Sequence, residues 1–196
     1  MVKLPDVILL NGAPSAGKTQ LTLALQARLP FVRVGIDDFI WERVPASWFD
    51  AVGQFLRGPN EEGKATDYAG EPAKLFRAYH RAVRACVAEG LWVVVDDAIV
   101  RRDLLDDWIA ALSGLDVFFV GVHCALEELR SRELARRDRA PGSAERAMKL
   151  VHAHAIYDLE IDSTAMTSSA LASQIIAALE TRKSPGAFER LLAHSG

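Results

Sequence analysis

Cysteine is scarce: Cys86 and Cys124 are the only two in 196 residues. Two thiols in separate segments cannot build a zinc cluster or a disulfide framework, so reduced cysteines in a cytosolic core are expected. Long apolar runs are missing too. The longest, such as Leu91–Val95 and Val117–Val120, fall far short of a bilayer span. Val7–Leu10 is stopped at once by Asn11 and Gly12, too short for a secretory signal core. Neither sign of charge dominates, since 23 Lys and Arg against 26 Asp and Glu leave a net charge of −3. Such a chain has no general pull toward nucleic acid or anionic lipid. A cytoplasmic protein with no nucleic-acid and no membrane partner is expected; its oligomeric state is left open.

Half of the residues are hydrophobic and a quarter are charged, the profile of one globular domain with a substantial core. Apolar runs alternate with helical periodicity. Val7–Leu10, Phe31–Ile36, Leu91–Val95, Val117–Val122 and Ile156–Ile161 read as strands. Between them, Lys18–Leu29, a helix opened by Pro72, Arg101–Leu112, Ala125–Asp138 and Ser143–Ala153 read as helices, with a last one around Leu171–Leu179. Arg57–Gly70, rich in Gly and Pro, reads as a loop. The pattern predicts an α/β fold: a five-stranded parallel sheet with helices on both faces. The domain is expected over 1–183, with a lid near 127–142. Ser184-Pro185-Gly186 breaks the chain before a polar tail at 184–196.

Ligands of such sheets bind beyond the carboxyl ends of the strands. After the first strand comes Gly12-Ala13-Pro14-Ser15-Ala16-Gly17-Lys18-Thr19, a full match to GxxxxGK[ST]. The glycines let the backbone wrap a phosphate and the next helix points amide donors at it. Lys18 is expected on the outer phosphates of ATP, and the Thr19 hydroxyl on Mg²⁺. The third strand ends in Asp96-Asp97, an apolar strand closed by a carboxylate that holds the metal directly or through water. Adjacent strand residues face opposite ways, so the two acids cannot share one task. Which of them serves the metal is open at this point.

The second strand ends Gly35-Ile36-Asp37-Asp38. A carboxylate in this slot can take the proton of an attacking hydroxyl. Capping of the next helix is the alternative, and one acid can cap while the other works. Arg132, Arg136 and Arg139 are spaced i, i+4, i+7 and share a helix face. That face is either a solvated, salt-bridged surface or a lid whose arginines neutralise the transferring phosphoryl group. Phe39, Trp41, Trp48, Phe49 and Phe55 crowd the stretch after Asp37, as core or as the wall of a pocket for a flat apolar acceptor. His152 and His154, two apart, are expected in surface or capping roles.

Together, ILLNGAPSAGKT, VGIDDF, WVVVDDAIV, FFVGVHCALEELRSRELARRDR and VHAHAIYDLEIDST resemble the chloramphenicol phosphotransferase family from about Val7 to Ala178. The resemblance implies ATP-dependent phosphorylation of a hydroxyl on the antibiotic. It maps the phosphate loop onto Gly12–Thr19, the catalytic aspartate onto Asp37 rather than Asp38, and the lid arginines onto Arg132, Arg136 and Arg139. Ala46–Gly70 and the chain after Arg182 depart from the family pattern. The same core resembles zeta-toxin kinases, which act on a sugar nucleotide. A nucleotide-binding regulator without an acceptor is the reading from another class, and it has no use for a carboxylate at the acceptor slot.

Overall fold

The fold is that of a computed structural model, which describes residues 3–40, 44–57, 70–136 and 142–193. Five parallel strands carry it: β1 (Val7–Gly12), β2 (Phe31–Gly35), β3 (Trp92–Asp97), β4 (Val117–His123) and β5 (Leu159–Asp162). They lie in the order β2-β3-β1-β4-β5. The helices among the described residues are α1 (Lys18–Gln26), α2 (Ile36–Ile40), α3 (Phe49–Arg57), α4 (Gly70–Ala88), α5 (Arg102–Ala111), α6 (Leu126–Arg136), α7 (Ser143–Met148), α8 (Ser168–Thr181) and α9 (Ala187–Ala193).

The predicted fold class holds, and the strand pleat explains how one sheet feeds two cores. Val7 and Leu9 of β1, Val93 and Val95 of β3, and Val117 and Phe119 of β4 pack with α2–α5 and α9. Their alternating neighbours Ile8, Leu10, Val94, Phe118 and Val120 pack with α1, α6, α7 and α8. A strand covered on both faces must be apolar at every position, and all of β1 is buried. Trp108, Tyr79, Phe76 and Phe119 are the largest side chains fully removed from water, each contributing roughly 1.5–3 kcal/mol by burial.

The strand register sets the site. Gly35 on β2 and Leu10 on β1 both pair with Asp96 on β3, and Asn11 pairs with Asp97. The carboxyl ends of β1, β2 and β3 therefore finish level, with the phosphate loop, α2 and the β3 acids side by side.

Three expectations change. The chain after Ser184 is not a polar tail: α9 buries Ala187, Phe188 and Leu191, with the Phe188 ring edge-on to Phe119 at 5.2 Å. Asp158 anchors it, its Oδ1 accepting from the Ala187 amide at 2.6 Å and its Oδ2 from the Phe119 amide at 2.8 Å. The fifth strand runs Leu159–Asp162, later than expected, and α7 ends at Met148. Trp41, Arg139 and nearly all of the expected 57–70 loop lie outside the described residues.

Candidate active site

The phosphate loop leaves β1 at Gly12, where the chain runs tight against β4. A Cβ built there would sit 2.5 Å from the Val122 carbonyl oxygen, so only glycine fits. Ala13 and Ala16 face the core, and Pro14, Ser15, Gly17, Lys18 and Thr19 line a cleft together with Asp37 and Asp96. Ser15 (φ 66°) and Gly17 (φ 84°) are left-handed, the conformation that folds the loop back on itself. The Lys18 ammonium lies in the loop it closes, 2.8 Å from the Gly12 carbonyl and 2.9 Å from that of Ala13. The buried Ser15 hydroxyl has no hydrogen-bond partner among the described residues. A buried donor left open in a loop of this shape fits a phosphate oxygen.

At the other end of the loop, Thr19 Oγ1 donates to Asp96 Oδ2 at 2.8 Å. A hydroxyl and a carboxylate meeting here are the hard oxygen donors that Mg²⁺ takes. Asp97 turns to the opposite face of the sheet. Its Oδ1 accepts from the Ala98 amide at 2.6 Å and its Oδ2 from the Trp108 indole at 2.6 Å. Burial pushes the Asp97 carboxyl above its usual range, against the pull of His80 and the indole. Both of its oxygens are engaged in the interior, away from the cleft.

Asp37 lines the cleft from the first turn of α2. With the base mapped onto Asp37, Asp38 is the acid left to cap that helix. The helix already begins at Ile36, so Asp38 lies inside the first turn, where a carboxylate still favours the helix dipole. Its Oδ2 forms an ion pair of 2.5 Å with Arg33 Nη1.

Sequence reasoning missed Arg33. It sits on β2 between two acids, with Nη2 also 3.4 Å from Asp96 Oδ2. Burial works against its charge, but Asp96 and Asp38 together hold its pKa above the ordinary value. Gly35 makes room for the trio: a Cβ there would be 2.6 Å from Arg33 Nη2 and Asp96 Oδ1 and 2.8 Å from Asp38 Oδ2.

Arg132, on α6, reaches the loop, its Nη1 lying 3.6 Å from a Cβ built on Gly17. Its Nε donates to Glu128 at 2.7 Å and its Nη2 to the Ser163 carbonyl at 2.8 Å. Arg136 closes α6. The buried Glu133 on the same helix holds the start of α7, accepting from the Gly142 and Ala144 amides, each at 2.9 Å, and from the Ser143 hydroxyl at 2.5 Å. The aromatic stretch divides as well. Phe55 is buried and stacks on Phe76 at 5.2 Å, Phe39 lies 5.3 Å from Tyr79, and Phe49 is exposed.

A model of chloramphenicol phosphotransferase-like proteins matches residues 5–180. The chain belongs to that family. Within reach of this family member is a Mycobacterium tuberculosis protein described as a "Putative O-phosphotransferase" in strains H37Rv and CDC 1551. It is 35% identical over 209 aligned positions, covering 97% of this chain and 90% of the relative. The fold is that of P-loop kinases. An unliganded sugar kinase from Janibacter sp. superposes with a TM-score of 0.63 at 15% identity, over 88% of this chain and 93% of its own. The M. tuberculosis APS kinase, solved with AMPPNP and APS, gives 0.61 at 13% identity, over 89% and 96%.

Beside the cleft, the family member carries a second polar cluster that sequence spacing did not reveal. The Asn11 side-chain oxygen accepts from the Ile99 amide at 2.9 Å, so its amide group donates to Val151 O at 2.6 Å and Tyr157 Oη at 2.8 Å. The Tyr157 hydroxyl is in turn hydrogen-bonded with His152 Nδ1 at 2.7 Å. The His152 ring stacks on His123 at 4.1 Å, and burial followed by His123 pushes His152 down to about 4. His152 is thus part of a packed network rather than a surface residue.

Proposed function

We propose that this chain is an ATP-dependent O-phosphotransferase that phosphorylates a hydroxyl of a small molecule, chloramphenicol or a related antibiotic being the acceptor its family suggests. The observation that carries the reading is the meeting of Asp37, the phosphate loop and the Thr19–Asp96 pair in one cleft. MgATP, when bound, supplies the phosphoryl group and the charge that spreads over it. Gly12–Thr19 would hold its phosphates, with Ser15 and Lys18 donating to phosphate oxygens, and Thr19 and Asp96 would hold Mg²⁺. Asp37 would accept the proton of the acceptor hydroxyl as that oxygen bonds to the γ-phosphorus and the bond to the departing ADP breaks. Arg132, near Gly17, supplies positive charge on the lid side, and Arg136 and Arg139, four and seven positions later in the sequence, are the further candidates for that charge.

The test is a transfer assay with γ-labelled ATP, offering chloramphenicol and a panel of hydroxylated compounds to the parent and to Lys18→Ala. Label is expected to move to a panel compound with the parent and not with the variant, both having similar melting temperatures. Nucleotide binding with no transfer to any compound would favour a nucleotide-binding regulator.

A further inference from the structure

The trio at the end of β2 is asymmetric. Arg33 sends Nη1 to Asp38 Oδ2 at 2.5 Å, but its Nη2 stands 3.4 Å from Asp96 Oδ2. It grips neither acid with a two-point fork. Its Nε is buried and has no hydrogen-bond partner among the described residues. The Asp38 side chain is 38% exposed, whereas that of Asp96 is 6% exposed.

A guanidinium binds a carboxylate best with two N–H groups on two oxygens. Turning from Asp38 to Asp96 would let Nη2 and Nε face one carboxylate and give Nε the acceptor it lacks. The attraction on that side is also less screened, because Asp96 is buried and Asp38 meets water. Gly35 leaves the way open. A Cβ there would be 2.6 Å from both Arg33 Nη2 and Asp96 Oδ1, so the two groups meet over a position without a side chain. What holds the guanidinium back is its short bond to Asp38.

The division of charge bears on the metal. Two carboxylates and one guanidinium leave a single negative charge on the trio. With Arg33 held by Asp38, that charge stays on Asp96, whose Oδ2 also meets Thr19. With Arg33 forked onto Asp96, it would pass to the partly exposed Asp38.

We propose that Asp38 is a positioning residue for the divalent cation: it holds Arg33 off Asp96 and so keeps the Asp96 carboxylate open to a metal beside Thr19. This rests on the reading of Thr19 and Asp96 as the metal-holding pair.

The test measures metal binding instead of transfer. Mn²⁺, which takes the same hard oxygen ligands as Mg²⁺, is titrated into the full chain with ADP bound. Free Mn²⁺ is read by electron paramagnetic resonance, with ADP alone as the blank. Asp38→Asn is expected to weaken Mn²⁺ binding roughly tenfold, the lower end of what losing a group that orients a metal ligand costs. Arg33→Met should bind Mn²⁺ at least as tightly as the parent, and adding Asp38→Asn to it should change nothing further. Excess Mn²⁺ should fill the site in all three. The double variant separates this role from the bare charge of Asp38, whose loss would weaken binding in either background. Arg33→Gln replaces Arg33→Met if melting curves show the latter unfolded. Parent-like binding by Asp38→Asn, or the same weakening with and without Arg33, would overturn the role of Asp38 while leaving the metal pair intact. Parent-like binding by Asp96→Asn would overturn the metal pair itself and this role with it.

Discussion

Thr19 Oγ1 and Asp96 Oδ2, 77 residues apart in sequence, are joined by a 2.8 Å hydrogen bond that ties the end of the phosphate loop to the end of β3. Asp97, the next residue, is bonded to Trp108 on the opposite face of the sheet. The pleat alone separates them, because successive strand residues point to opposite sides.

Exchanging each acid for its amide should therefore have different effects. Asp96→Asn is expected to keep the melting temperature near the parent's while raising the Mg²⁺ concentration needed for half-maximal transfer roughly 10–100-fold. Asp97→Asn replaces a carboxylate oxygen by an NH2 group that cannot accept from Ala98 or Trp108. Its stability should fall by about 1–3 kcal/mol, measured by urea denaturation, with the Mg²⁺ requirement unchanged. A normal Mg²⁺ titration for Asp96→Asn beside a shifted one for Asp97→Asn would reverse the assignment.

Acid should weaken the protein through His152. Its pKa is lowered from 6.5 to about 4, so below 6.5 the unfolded chain binds a proton that the folded chain refuses. This contribution is complete above about pH 6.5 and is lost as pH falls toward 4. The groups facing the ring act together: His123 and Lys18 oppose the charged form and Glu160 favours it, while the Tyr157 hydroxyl is hydrogen-bonded with Nδ1. His152→Gln is expected to flatten the fall in melting temperature across that window. Parallel curves for parent and variant would refute the assignment.

Glu133 is the hinge of the segment that bears Arg132 and Arg136, because one carboxylate gathers the first donors of α7. Burial alone would raise its pKa, but the Ser143 hydroxyl and the amides of Ala144, Gly142 and Ser143 outweigh it and hold the carboxyl below its ordinary value. Its stabilisation is thus present at neutral pH and lost as pH falls through that lowered value. Glu133→Ala should cost about 1–2 kcal/mol at pH 7 and much less in strong acid. An equal cost at pH 7 and pH 3 would point to lost packing instead.

The phosphate loop was legible because its demands are local: a strand, backbone freedom at Gly12 and Gly17, and a helix follow one another without a gap. The sheet was legible because strands buried on both faces are apolar throughout. What escaped depends on distant partners. Arg33 reads as an ordinary polar position on an edge strand until Asp38 and Asp96 close on it. His123 and His152 carry no ligand spacing, and the turn after α7 stacks them. The α9 helix was hidden by its composition, since only Ala187, Phe188 and Leu191 face inward and their partner Phe119 lies on β4.

The pair Asp37 and Asp38 gives the sharpest test of mechanism. Both acids lie in the first turn of α2, but only Asp37 lines the cleft with Lys18 and Asp96. Asp38 is turned to Arg33 in a partly exposed ion pair, and pairs of that kind are worth about 0.2–1 kcal/mol. Removing a general base costs roughly 10²–10⁴-fold in the chemical step. Asp37→Asn should bind ATP like the parent and lose turnover on that scale, read by single-turnover transfer from labelled ATP. Asp38→Asn should retain most of the activity and lose no more stability than a partly exposed pair provides. An inactive Asp38 variant beside an active Asp37 variant would exchange the two roles. Activity surviving in both would leave proton removal to water or to the phosphate itself, which a loose transition state with little bond formation to the nucleophile permits.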